Sequence, residues 1–246
     1  MIEIAPGQIH LWLAPEQATP LDPALAARYA ALLNLEERER WQRFVYDRDR
    51  QRFLLTRALA RTVLAQYLDA DPVNVSFNTG AHGKPTLAAE APLYFNLSHT
   101  KGMVALAVTN TGEIGIDVEA VTRKAEMLKL AARYFSSEEN CELLALPAAE
   151  QRERFFKLWT LKEAYVKARG LGLKIALDSF SFDFGHDLPG ITFRDSAMAE
   201  HQHWFFHCIK QVDDFRIALA LRLSGQRLVQ VHVYTGMPLL GFRSQP

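Results

Sequence analysis

Along "EIGIDVE" the apolar Ile114, Ile116 and Val118 alternate with Gly115, Asp117 and Glu119. A period of two marks a strand with one buried face, so both carboxylates leave it on the same side. Like charges side by side resist desolvation and need water or a cation to compensate them. Alternation or short apolar runs also predict strands at "QIHLWLA", "NVSFN", "LYFNLSH", "MVALAV", "SFSFDF", "HWFFHCI", "RIALALRL" and "LVQVHVY". Thr100-Lys101-Gly102 joins "LYFNLSH" to "MVALAV" as a hairpin.

Elsewhere the period lengthens. Prolines at 15, 20 and 23 lead into helical sequence near Ala24, and the charged stretch from Glu36 to Arg61 runs into Leu55, Leu59, Val63 and Tyr67, spaced by four. That spacing predicts one long amphipathic helix. Residues from about Glu126 to Ala168 also read as helical, interrupted at Pro147 and at "FSSEE", where Ser136 or Ser137 is a candidate N-cap. The order strand, helices, strands occurs twice: "RFLLTRALARTVL" stands where "RFFKLWTLKEAYV" stands later, and "YFNLSH…MVALAV" parallels "WFFHCI…RIALAL". The expected architecture is α+β, with two similar lobes related by pseudo-twofold symmetry, residues 1–110 and 111–246. Each lobe is expected to be a small sheet packed on helices, with the ligand site in the cleft between them.

Composition narrows the function classes. The chain has 246 residues, 49% of them hydrophobic, enough to bury a large core. Twenty-eight basic residues balance twenty-eight acidic ones. No global field therefore favours nucleic acid or an anionic membrane, and any anion site must be local. No segment approaches the ~18 consecutive apolar residues of a membrane span. Cys141 and Cys208 are far apart and lack metal-type spacing, which fits a reducing compartment and predicts two core thiols. The first residues carry Glu3 and no basic run, unlike a signal peptide, so cytoplasm is expected.

In "WTLKEAYVKARGLGL", residues 159–173, Trp159, Glu163 and Lys167 share one helical stripe, with Lys162 beside it and Gly170 and Gly172 closing the end. Alone, Glu163 and Lys167 also read as a solvated pair contributing only ~0.2–0.5 kcal/mol. Asp117 and Glu119 alone also fit an exposed strand face. Together, three carboxylates without histidine or cysteine form an oxygen-donor set that suits Mg²⁺ or Mn²⁺ rather than zinc. Lys84 lies in the turn-like "GAHGKP", where a cation can approach a phosphate. Ser98 and His99 end a strand; they can address one ligand only where that strand stops, because neighbours within it take opposite faces.

In this order "GKP", "FNLSHT", "GIDVE" and "WTLKEAYVKARGLGL", with "ARYF" at 132–135, resemble the 4′-phosphopantetheinyl transferases of the larger single-chain, two-lobed type, over roughly residues 8–222. Such enzymes move the phosphopantetheine arm of coenzyme A onto a serine of an apo acyl or peptidyl carrier protein and release adenosine 3′,5′-bisphosphate. The resemblance implies that Asp117, Glu119 and Glu163 hold Mg²⁺ against the pyrophosphate. It gives Lys167 the leaving-group charge, and gives Glu163 the carrier serine's proton, directly or through a metal-bound water. Lys84, Ser98 and His99 match positions that grip coenzyme A phosphates, and Arg52, Arg40 and Arg43 are further basic contacts from the first lobe. Two positions depart from the pattern: Glu37 stands where some relatives are basic, and Phe53 where a small hydroxyl residue can occur. An acidic carrier is expected to meet the segment after "ARYF" or the basic "KARGLGLK", and the enzyme is expected to be a monomer. Rival readings are a Mg²⁺-dependent phosphohydrolase and a noncatalytic coenzyme A binding protein. Fatty-acid, polyketide and nonribosomal peptide carriers all present a serine at a helix start, so the motifs leave the carrier class open.

Overall fold

Each alternating stretch becomes a strand because it has an apolar face to bury. The computed structural model describes residues 1–17, 19–80, 83–122, 126–185, 187–194, 203–209, 214–223, 225 and 228–245. The first half runs β1 (Gln8–Pro15), α1 (Pro23–Ala31), α2 (Leu35–Gln42), α3 (Asp47–Leu68), β2 (Phe77–Thr79), β3 (Pro85–Leu87), β4 (Tyr94–Thr100) and β5 (Met103–Thr109). The second runs β6 (Ile114–Ala120), α4 (Met127–Tyr134), α5 (Ser137–Ala145), α6 (Ala148–Arg169), β7 (Phe180–Asp183), β8 (Gly190–Phe193), β9 (Trp204–Ile209), β10 (Phe215–Arg222), β11 (Gln230–Met237) and β12 (Gly241–Ser244).

Among the described residues, one sheet has the order β12-β11-β1-β5-β4 and a second the order β6-β10-β9. The antiparallel trio β1-β5-β4 is thus matched by β6-β10-β9, the repeat that the sequence anticipates. β11 and β12 follow residue 111 in sequence yet extend the first sheet, β11 pairing parallel to β1 from Gln8↔Gln230 to Leu13↔Thr235. They cover what would otherwise be an open edge of a nearly fully buried strand.

Three apolar clusters set the layers. Leu54, Leu55, Leu59 and Val63 of α3 pack on Trp12 and Leu106 of the first sheet. Phe155, Leu161 and Ala164 of α6 pack on Phe206, Ala218 and Ala220 of the second. Between them, Ile9, Leu11 and Ala105 of one sheet meet Ile116, Val118 and Leu219 of the other. The order is helices, sheet, sheet, helices, which is why β5 is buried along its whole length and reads as a continuous apolar run.

Local departures have local causes. The charged helix predicted from Glu36 onward is two helices, broken between Gln42 and Asp47. Asn34 and Glu37 form a capping box that starts α2 separately, and Arg50 donates to the Phe44 carbonyl at 2.8 Å inside the break. Of "NVSFN", only Phe77 and Asn78 enter a strand, because Pro72–Asn74 forms a 3₁₀ turn. Ser136 is the N-cap of α5, in a capping box with Glu139. The cysteines are not core thiols: Cys141 is exposed on α5, whose inward residues are Glu139 and Leu143, and Cys208 is half-buried on the edge strand β9. Ala81 and His82 of the "GAHGKP" turn lie outside the described residues. No described helix is long and apolar enough to cross a membrane.

Candidate active site

Strand β6 and helix α6 approach each other at Gly115. A Cβ there would lie 2.0 Å from the Ala164 carbonyl oxygen and 2.4 Å from the Ala168 nitrogen, so only a residue without one permits the contact. Asp117 and Glu119 share this helix-facing side of β6, as alternation requires. Asp117 Oδ1 then meets Lys167 Nζ at 2.6 Å. Ser98 Oγ, from β4, donates to the same Oδ1 at 3.1 Å and accepts from Lys167 Nζ at 2.9 Å and from the Val118 N–H at 3.2 Å. Two residues earlier, Asn96 Oδ1 accepts from the Ile116 N–H at 2.9 Å. β4 and β6 are edges of different sheets, and these two side chains satisfy strand N–H groups where no backbone ladder exists.

The other acids gather beside this cluster. Burial raises the Glu163 carboxyl above the usual carboxylate range, and the negative charges of Asp117 and then Glu119 add to it while Lys167 opposes. Among the described residues, no group of three or more acid, histidine or cysteine side chains is arranged as a metal cage, and Lys167 takes one oxygen of Asp117. Asp117 Oδ2, however, is buried without a partner. An orphan carboxylate oxygen, next to two more carboxylates that repel it, is an oxygen-donor set fit for a hard divalent cation.

The candidate phosphate contacts divide into those committed to the protein and those facing the cleft. Lys84 Nζ donates to the carbonyls of Ile114 at 3.0 Å and Ala168 at 2.8 Å, tying the first half to β6 and α6. Burial presses its ammonium down to about 8. β4 continues through Thr100, so Ser98 and His99 take opposite faces: Ser98 is 5% exposed, whereas His99 is open to solvent. Desolvation of the part of the ring that meets the protein, then the cations Arg52 and Lys167, hold His99 below the ordinary imidazole value. Arg52 Nη2 and Nε donate to Glu16 Oε2 at 2.9 and 3.2 Å, and Asp49 lies 3.6 Å away. Arg40 is exposed with its guanidinium 5.7 Å from the Phe53 ring, and Arg43 pairs with Glu39 at 3.5 Å on the surface. Glu37 is buried against Arg61 at 2.8 Å, so the unusual acid at this position joins α2 to α3.

Comparison with known proteins decides the family. Residues 113–220 match the 4′-phosphopantetheinyl transferase superfamily, and residues 19–111 match the N-terminal region described for 4′-phosphopantetheinyl transferases. The 4′-phosphopantetheinyl transferase Sfp of Bacillus subtilis is 34% identical over 168 residues, covering 68% of this chain and 74% of that protein. This chain belongs to the 4′-phosphopantetheinyl transferase superfamily. The 4′-phosphopantetheinyl transferase HetI of Nostoc is 37% identical over 171 residues, covering 68% of this chain and 70% of its own. A phosphopantetheinyl transferase of Thraustochytrium is 31% identical over 222 residues, covering 85% and 76% respectively.

Among the described residues of this phosphopantetheinyl transferase, two clefts that contain candidate site residues have walls drawn from both halves. One, about 310 Å³, lies between Lys84, Pro85 and Asn96 on one side and Glu163, Lys167 and Gly170 on the other. A second, about 830 Å³, is lined by Arg48, Arg52 and Lys101 from the first half and Ala120, Thr122 and Phe215 from the second. Sequence reasoning missed Glu16, which accepts from Arg52 and from the Gly102 N–H at 2.8 Å and so joins β1, α3 and the β4–β5 turn. It follows β1 in "APEQ" with no periodic signal to mark it. Lys162 of the transferase's "WTLKE" stretch is fully buried: it pairs with Glu139 at 2.7 Å and donates to the carbonyls of Leu177 and Phe180. It is a strut between α5, α6 and β7.

Proposed function

We propose that this transferase moves the 4′-phosphopantetheine group of coenzyme A onto a serine hydroxyl of an apo acyl or peptidyl carrier protein, releasing adenosine 3′,5′-bisphosphate. The observation that carries this reading is the buried Asp117, with one oxygen on Lys167 and the other unpartnered, beside Glu163 where both halves form a cleft. Asp117, Glu119 and Glu163 would hold Mg²⁺, with Mn²⁺ as a substitute. When bound, the ion supplies positive charge to offset that of the pyrophosphate.

The chain's own residues do the rest. The serine oxygen bonds to the phosphorus of the phosphopantetheine arm while the bond from that phosphorus to the adenosine bisphosphate oxygen breaks. Glu163, whose carboxyl is raised by burial and by its acidic neighbours, takes the serine proton. Lys167 brings its ammonium to the departing phosphate, where negative charge grows most in the transition state. His99 and Arg52 offer the first-half contacts for the nucleotide's phosphates, with Arg40 and Arg43 further out. Lys84 holds the wall of the cleft between them. One chain supplies both sides of the cleft, which supports action as a monomer, and a cytoplasmic location suits a coenzyme A dependent enzyme.

The test is to incubate the chain with coenzyme A, Mg²⁺ and a panel of apo carriers and to read intact carrier mass. Gain of one phosphopantetheine on the carrier serine, abolished by a chelator, is expected. Coenzyme A cleavage without any carrier would mean a phosphohydrolase, and coenzyme binding with no carrier modified would mean a noncatalytic binder.

A further inference from the structure

We propose that Glu16 is a positioning residue: it fixes the Arg52 guanidinium in the wall of the 830 Å³ cleft, ready for the phosphates of coenzyme A. What the cleft receives rests on the transferase reading; the clamp itself does not. Glu16 Oε2 accepts three hydrogens, from Arg52 Nη2 at 2.9 Å, from Arg52 Nε at 3.2 Å and from the Gly102 N–H at 2.8 Å. The side chains of Glu16 and Arg52 are 15% and 17% exposed, so solvent screens this pair less than it screens the ion pairs on the helix surfaces.

The carboxylate can orient its partner because it is itself held. The Glu16 N–H donates to the Gly102 carbonyl at 2.9 Å while the side chain takes the Gly102 N–H, so one residue grips both polar groups of the turn. Gly102 has φ +96°, a left-handed geometry that suits glycine, and a Cβ there would lie 3.0 Å from the Phe215 ring. The anchor is therefore a tight turn backed by a residue of the second half that lines the same cleft.

Clamping does not exhaust the guanidinium. An arginine has five N–H donors, and Glu16 takes two of them. Nη1 faces Asp49 at 3.6 Å, beyond hydrogen-bond length, so donors remain for phosphate oxygens without Glu16 letting go. A free arginine would lose side-chain freedom on meeting a phosphate; here folding has already imposed that loss. The charge of Arg52 also acts on His99, ahead of that of Lys167, so the same clamp fixes the field at a second candidate phosphate contact.

The experiment measures the Kd of coenzyme A by calorimetry, and kcat and KM for modification of an apo acyl carrier protein with Mg²⁺, in full-chain variants. Glu16→Ala should weaken coenzyme A about tenfold and raise its KM in step, with kcat within about twofold, because Arg52 grips phosphate away from the reacting atoms. Glu16→Asp keeps the charge but withdraws it by one methylene, and should weaken coenzyme A about fivefold with the turn less disturbed. Glu16→Gln keeps an oxygen acceptor on the same side-chain shape and should stay within about threefold of wild type. In an Arg52→Ala background, adding Glu16→Ala should change Kd less than about twofold, since the clamp then has nothing to hold. An unchanged Kd in Glu16→Ala, or losses that simply add in the Arg52→Ala background, would overturn the proposal. So would tighter binding in both Glu16→Ala and Glu16→Gln, which would make the carboxylate a repelling charge and nothing more. A further readout needs no coenzyme: phenylglyoxal modification of Arg52, mapped by mass spectrometry, should be about fivefold faster in Glu16→Ala, and an equal rate would remove the clamp. Absent carrier modification in wild type would sink only the transferase reading, because Kd and reagent rates are read without transfer.

Discussion

Gly115→Ala adds one methyl where strand meets helix. The new Cβ would stand 2.0 Å from the Ala164 oxygen and 2.4 Å from the Ala168 nitrogen, and ordinary contact begins at 3.4 Å. Both atoms belong to the helix backbone, so no rotamer change relieves the clash, and β6 and α6 must part by about 1.4 Å. A radial gap of ~0.5–1 Å already forfeits a quarter to a half of a dispersion contact, and overpacking of this kind costs ~3 kcal/mol. For a chain of this size each kcal/mol lowers Tm by ~2–4 °C, so the variant should melt ~6–12 °C below wild type. The same gap is spanned by the 2.6 Å contact between Lys167 and Asp117, and a misplacement near 1 Å costs ~10²-fold in rate. Calorimetric melting and carrier-mass kinetics on the same preparation check both figures. A melting point within about 1 °C of wild type, with turnover within about twofold, would refute the idea that this close approach sets the site.

Three further outcomes follow from the same geometry. Lys167→Ala should lower kcat by ~10²-fold while the KM for coenzyme A changes little, because leaving-group charge is greatest in the transition state; a change confined to KM would remove Lys167 from that role. Lys162→Met leaves the buried Glu139 without its cation, a loss of ~3–5 kcal/mol that should lower Tm by ~10 °C in a thermal melt without changing KM; an unchanged Tm would show that the pair is not a strut. His10 is buried with its Nδ1 2.7 Å from the Tyr67 hydroxyl and its ring against His232 and Tyr234, and burial, then His232, presses it from 6.5 to about 4. The unfolded chain takes up that proton first, so stability is full above about pH 6.5 and falls towards pH 4 by up to ~1.4 kcal/mol per pH unit. Urea titrations across this range should show a flatter dependence for His10→Gln, and equal slopes would count against the linkage.

Periodicity made part of the site legible. Alternation in "GIDVE" put Asp117 and Glu119 on one face, and a four-residue spacing put Glu163 and Lys167 on one helical stripe, because a backbone of known period leaves side chains few directions. The duplicated order of elements was legible too, and appears as β1-β5-β4 and β6-β10-β9. The motifs, read together, carried the family.

Period tells which way a residue faces but not what meets it there. Nothing in "GKP" says that the Lys84 ammonium is taken by two carbonyls far along the chain, nor in "FNLSH" that Ser98 meets Asp117, Lys167 and Val118. Glu16 clamps Arg52 across a separation that no local pattern records, and β11 and β12 return to the first sheet because β1 has an edge to cover. Local sequence determined the faces of the elements, through backbone sterics and the hydrophobic effect. Only the tertiary structure decided their partners, since hydrogen-bond and charge pairing depend on distances set by packing between remote segments.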